Sequence, residues 1–86
     1  MSYTIIIKRQ AKKKLLSLPR KDRVRITEKI ELLGYDHEHP SLDVKKLTEE
    51  PYFRLRVGDW RIIFDKEDEI KIISVKKIDS RGGIYK

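Results

Sequence analysis

The chain has 86 residues, 41% charged and 38% hydrophobic, with 21 Lys or Arg against 14 Asp or Glu for a formal net charge of +7. One domain spanning residues 1–86, with a small core, is expected at this length. The longest unbroken apolar run, Ile5-Ile6-Ile7, is far short of the roughly 20 residues of a membrane span. The absence of cysteine excludes disulfides and thiolate chemistry, and polar Ser2 after Met1 argues against a signal peptide, so a cytoplasmic location is expected.

Tyr3 to Lys8 is rich in β-branched residues and reads as a buried strand. From Lys8 the period changes: Ala11, Leu15 and Leu18 recur at four and three residues and share one helical face, with Lys12, Lys13 and Lys14 mostly turned away. Pro19 breaks this helix. Asp22 helps to open a second one, where Ile26, Ile30 and Leu33 repeat the spacing and Gly34 supplies a stop. Residues 35–50, with Pro40 and scattered polar side chains, read as an irregular connection with at most a short turn at 44–47.

From Pro51 the period becomes two. Phe53, Leu55 and Val57 alternate with Tyr52, Arg54 and Arg56; Gly58-Asp59 is a two-residue hairpin loop; Trp60, Ile62 and Phe64 alternate with Arg61, Ile63 and Asp65. Asp65 to Glu69 reads as a charged turn before a last strand, Ile70 to Ile78. The order β-α-α-β-β-β predicts an α+β fold: an antiparallel sheet carrying an N-terminal helical hairpin on one face.

Counting outward from Gly58-Asp59 sets Val57 against Trp60, Arg56 against Arg61, Leu55 against Ile62, Arg54 against Ile63 and Phe53 against Phe64. One face of the hairpin is then apolar, which assigns Trp60 to the core. The other gathers Arg54, Arg56 and Arg61. Like charges directly opposite across strands cost up to about 1 kcal/mol, so Arg56 against Arg61 is a local conflict of the kind that concentrates at functional sites. Two readings stand: solvent-facing arginines neutralised by Asp59 or Asp65, or an anion site of guanidinium groups suited to phosphate. Arg81 and Tyr85, following the last strand, can fold back to join them, and a phenol beside arginines suits an RNA site.

These residues resemble a family. Lys46-Leu47, the run Tyr-x-Arg-x-Arg-x-Gly-Asp-x-Arg from Tyr52 to Arg61, and the ending Arg81-Gly82-Gly83-Ile84-Tyr85-Lys86 are similar to the RelE/ParE superfamily of bacterial toxins, most closely its RelE branch. The resemblance covers essentially the whole chain. It implies an mRNA interferase that cleaves mRNA in the ribosomal A site, needs no metal or other cofactor, and is silenced by a cognate antitoxin, expected to be acidic and partly disordered. It also implies site roles: Arg61 at the scissile phosphate, Arg81 from the C-terminal strand, Tyr85 orienting the attacked nucleotide, and Arg54 where one branch carries a lysine. The implied chemistry is attack of the ribose 2′-OH on the adjacent phosphate. Arginine is a poor proton acceptor, so Arg54 serves the transition-state charge, and Lys45, Lys46 and Tyr85 are left as candidate bases. Arg56, Lys45, Lys46, Lys12 and Lys13 are expected to contact RNA, the helical lysines by docking on ribosomal RNA or else merely solvating a helix face. The ParE branch of the same fold gives the alternative, a toxin that inhibits DNA gyrase by binding. His37-Glu38-His39 with Asp36 has too few ligands to favour a metal over two exposed histidines.

Overall fold

The helical spacings translate directly into packing. In the computed structural model, which describes residues 2–80, α1 (Arg9–Ser17) and α2 (Arg20–Tyr35) flank Pro19 and lay Ala11, Leu15, Ile26, Ile30 and Leu33 on one side of a sheet. Asp22 sits in the first turn of α2, where a carboxylate favours the positive end of the helix dipole. From the sheet come Leu55, Val57, Ile62, Phe64, Ile73, Val75 and Ile78, and together these buried side chains form one cluster. Fully burying such a side chain contributes about 1.5–3 kcal/mol.

The sheet has five strands, β1 (Thr4–Ile7), β2 (Asp43–Lys46), β3 (Phe53–Val57), β4 (Trp60–Glu67) and β5 (Ile72–Ser80), in the order β1-β5-β4-β3-β2. It is mixed, since β1 runs parallel to β5 while the other neighbours are antiparallel. Four expectations are corrected here. The segment read as an irregular connection contains β2, an edge strand with a single apolar residue, Val44. The strand β1 is the other edge and only half-buried, with Ile6 40% exposed. The turn after β4 falls at residues 68–71 in place of 65–69 and uses Lys71 at φ 57°. Gly34 is no helix stop, because α2 continues through it to Tyr35.

Gly34 instead allows close approach. A Cβ there would stand 2.8 Å from Ile5 Cγ1 and 2.9 Å from its Cδ1, and the Gly34 carbonyl accepts a hydrogen bond from Tyr3 N at 2.6 Å. The helix backbone therefore bonds directly to the residue before β1 and lies against the Ile5 side chain of the strand. Tyr3 also ties this edge to the turn after β4 by donating its hydroxyl to Asp68 Oδ1 at 2.5 Å. That bond raises the Tyr3 pKa above its ordinary value and lowers that of Asp68, with Lys66 assisting the carboxylate. No helix among the described residues is long and apolar enough to cross a membrane.

Candidate nucleic-acid interface

The hairpin register is as counted: Val57 pairs with Trp60, Arg56 with Arg61, Leu55 with Ile62, Arg54 with Ile63 and Phe53 with Phe64. Gly58 has φ 59° while Asp59 has no positive φ, the pattern of a type II′ loop. Trp60 packs against the core cluster, with Lys14 Nζ 5.9 Å from its ring centroid. Arg54, Arg56 and Arg61 therefore share the sheet face that the helices leave uncovered.

The outer strands extend this face into two charged rows. Asp43, Arg56, Arg61 and Asp79 stand side by side across β2, β3, β4 and β5, and the next row is Lys45, Arg54, Ile63 and Lys77. The like-charged pair Arg56–Arg61 is thus flanked by a carboxylate at each end. These flanking groups are Asp43 and Asp79, in place of the expected Asp59 or Asp65. Asp43 Oδ1 accepts from Arg54 Nη2 at 3.1 Å, and Asp79 Oδ2 lies 3.4 Å from Lys77 Nζ. Arg56 and Arg61 form no ion pair with a described residue. Arg54 Nε and Arg61 Nε are buried with no hydrogen-bond partner among the described residues, so both guanidinium groups retain unused donor capacity.

A bulge adds a further cation. Between Ile63 and Phe64 the pairing with β5 jumps from Lys77 to Val75, leaving Lys76 as the extra residue. Regular alternation would turn Lys76 toward the helices. The bulge keeps Val75 in the core and brings Lys76 Nζ within 5.3 Å of the Tyr52 ring centroid. Lys76 and Tyr52 then line a cleft of about 420 Å³ with Arg61, Ile63, Lys77, Asp79 and the loop from Leu47 to Glu50. A second cleft of about 370 Å³ between α1 and β5 is lined by Lys13, Lys14 and Lys77.

The expected site residues are only partly brought together. Arg54, Arg56, Arg61 and Lys45 share the uncovered face. Lys46 pairs with Phe53 and lies over its ring at 5.2 Å, on the opposite side of the sheet from the arginines. Lys12 is exposed on α1, and Lys13 reaches the face only through the second cleft. Arg81 and Tyr85 lie outside the described residues. The histidines are engaged locally: the His37 ring centroid is 5.1 Å from that of Tyr3, and His39 Nδ1 accepts from Ser41 N at 3.1 Å. No group of three or more His, Cys, Asp or Glu among the described residues could hold a metal ion. Sequence reasoning missed Lys76, Lys77 and Tyr52. Their signal was present in Ile73, Val75 and Ile78, whose spacing of two and then three marks a bulge in a strand.

A family model described as the ParE toxin of type II toxin-antitoxin system, parDE, matches residues 5–85. No curated protein matches. Among solved structures the chain is similar to an archaeal RelE–RelB complex from Pyrococcus horikoshii, with 32% identity over 95% of this chain and 98% of that one and a TM-score of 0.82. A RelB–RelE antitoxin–toxin complex from Methanococcus jannaschii is 27% identical over 93% of this chain and 94% of that one, with a TM-score of 0.76. The toxin–antitoxin complex RelBE2 from Mycobacterium tuberculosis, 23% identical over 94% of this chain and 100% of that one, has a TM-score of 0.80 and shares the fold.

Proposed function

We propose that this chain, which belongs to the RelE/ParE superfamily of type II toxin–antitoxin toxins, is a ribosome-dependent mRNA interferase of the RelE branch. The observation that carries this reading is the gathering of Arg54, Arg56, Arg61, Lys45, Lys76 and Lys77 on one uncovered sheet face beside a cleft. Arg61 is the group proposed for the scissile phosphate. It has no ion-pair partner among the described residues, which leaves its guanidinium free to bind a phosphate oxygen. In the proposed reaction the ribose 2′-oxygen attacks phosphorus, its proton passes to a base, and the 5′-oxygen leaves and is protonated. The products are a 2′,3′-cyclic phosphate and a 5′-hydroxyl. Negative charge accumulates on the equatorial oxygens in the transition state, and guanidinium donors held ready for it lower the barrier. Arg54, steadied by Asp43, is placed to assist; Arg81 and Tyr85 enter by resemblance. For the proton acceptor, Lys45 shares the arginine face and Lys46 does not, which leaves Lys45 and Tyr85 as candidates.

A cognate antitoxin partner is part of the same proposal, supported by relatives solved as RelE–RelB complexes. An acidic, partly disordered chain is the complement of this face. The description of the matching family model favours a second reading, a ParE-type toxin that binds DNA gyrase and cleaves nothing.

Primer extension on translated mRNA after induction separates the two. The nuclease reading expects cuts at defined codon positions. Arg61→Ala should slow them about 100–1,000-fold, the usual loss for one such donor, with the circular dichroism of the fold retained. Growth arrest with intact mRNA and broken DNA would refute the nuclease reading.

A further inference from the structure

The cleft beside Arg61 has walls of opposite character. The strands β4 and β5 contribute Arg61, Lys76 and Lys77, with Asp79 paired to Lys77; the loop between β2 and β3 contributes Glu49 and Glu50 and ends at the Tyr52 ring. A site for phosphate alone has no use for an aromatic ring, and two carboxylates would weaken it. At about 420 Å³ the cleft is within the range of small-molecule sites, roughly 300–1,000 Å³. Lys76 is delivered to the ring by the bulge, an irregularity of the sort that re-aims side chains at functional positions.

We propose that this cleft is a nucleobase subsite adjoining the phosphate held by Arg61, with Tyr52 as the stacking platform and Glu49 and Glu50 as hydrogen-bond acceptors that select guanine. The inference rests on the reading of the chain as an RNA-cleaving toxin and adds the base preference of the same site. Stacking on an aromatic ring accepts any base, so selection falls to the carboxylates. Guanine offers a ring N–H and an amino group side by side on its pairing edge, two donors matched to the two oxygens of a carboxylate. Adenine and cytosine offer an amino group beside an acceptor nitrogen, and uracil an N–H between two carbonyls. Each of these sets a lone pair against the carboxylate.

The test is an NMR titration of the full chain with 5′-GMP, 5′-AMP, 5′-UMP and inorganic phosphate. GMP is expected to bind about tenfold more tightly than AMP or UMP and to shift Tyr52 and Lys76, with phosphate alone shifting Arg61. Glu49→Gln combined with Glu50→Gln should bring the GMP to AMP ratio near one. Tyr52→Leu should weaken all three nucleotides about tenfold without weakening phosphate, and Tyr52→Phe should recover that loss. Equal binding of the three nucleotides by the unsubstituted chain overturns the subsite. So does a glutamine variant that binds every anion more tightly by one factor, since the loop is then only an electrostatic screen. The readout is independent of cleavage: GMP preference without mRNA cuts supports the subsite and sinks the nuclease, and cuts without base preference do the reverse.

Discussion

Replacing Gly34 with alanine tests how the edge strand is held, and its sign is informative. A glycine in an ordinary helix interior is improved by alanine by up to about 1 kcal/mol, through lower backbone entropy loss. Here the new methyl would meet Ile5 Cγ1 at 2.8 Å and Cδ1 at 2.9 Å, with the Tyr3 carbonyl oxygen at 3.3 Å. The nearest obstacle is close to the Ile5 backbone, so a rotamer change of the side-chain tip does not relieve it. Moving the helix away stretches the 2.6 Å bond from Tyr3 N to the Gly34 carbonyl. Overpacking of this kind costs about 1–3 kcal/mol, which outweighs the propensity gain. The expected result is a net loss of about 1–2 kcal/mol, lowering Tm by roughly 4–15 °C in a chain of this size. Thermal melts followed by circular dichroism, with urea titrations for the free energy, supply the measurement. In an Ile5→Ala background both obstructing atoms are gone, and the cost of Gly34→Ala should fall by about 1 kcal/mol. In Ile5→Val, which keeps a γ carbon, most of the cost should persist. A Tm equal to or above that of the unsubstituted chain would refute the close approach of α2 and β1.

Three further outcomes follow from the same geometry. Gly58→Ala should destabilise by about 1–2 kcal/mol because of its positive φ, with urea titration as the check; an unchanged midpoint would contradict the type II′ loop. Asp43→Asn should cost less than about 1 kcal/mol, as expected of a partly exposed ion pair with Arg54, while steepening the salt dependence of RNA binding measured by fluorescence anisotropy. An unaltered salt slope would remove Asp43 from the electrostatics of the face. The Tyr3–Asp68 bond predicts pH dependence at both extremes. The lowered Asp68 pKa gives stability that is present above its ordinary value of 3.8 and lost as pH falls through the depressed one; the raised Tyr3 pKa gives stability present below 10.0 and lost as pH rises through the elevated one. Tyr3→Phe should therefore flatten the Tm profile at its acid and alkaline ends and leave its slope unchanged between about pH 5 and 9.

The helical face and the hairpin were legible because both are local. Ala11, Leu15, Leu18, Ile26, Ile30 and Leu33 are all buried as their spacing required, and a two-residue loop at Gly58-Asp59 leaves one register open to its strands. What escaped depends on partners distant in the chain. The strand β2 carries Asp43, Lys45 and Lys46 around a lone Val44, charges that protect an exposed edge from unwanted pairing and also hide the strand from a hydrophobic pattern. The pairing of β1 with β5 joins opposite ends of the chain, so no turn announces it. Arg54, Arg56 and Arg61 were visible as a group, whereas Asp43 and Asp79, which flank them, become neighbours only when four strands are aligned.

That alignment changes where the positive field of the face resides. In the row nearer the hairpin loop, Asp43 and Asp79 equal Arg56 and Arg61 in number, but both carboxylates reach across to the next row, Asp43 to Arg54 and Asp79 to Lys77. The next row contains Lys45, Arg54 and Lys77 around apolar Ile63, so two of its three cations are held in those ion pairs. Within these two rows the cations without an ion pair to a described residue are Arg56, Arg61 and Lys45, and a polyanion attracted to this face is drawn to them. Arg61 also lines the cleft, without an ion pair to a described residue. Such a guanidinium is well suited to a single phosphate brought alongside it, because its donors need not be released from another partner first. The conflict between Arg56 and Arg61 that stood out in the sequence is thus not relieved by an ion pair to a described residue, and an anion brought between them would relieve it.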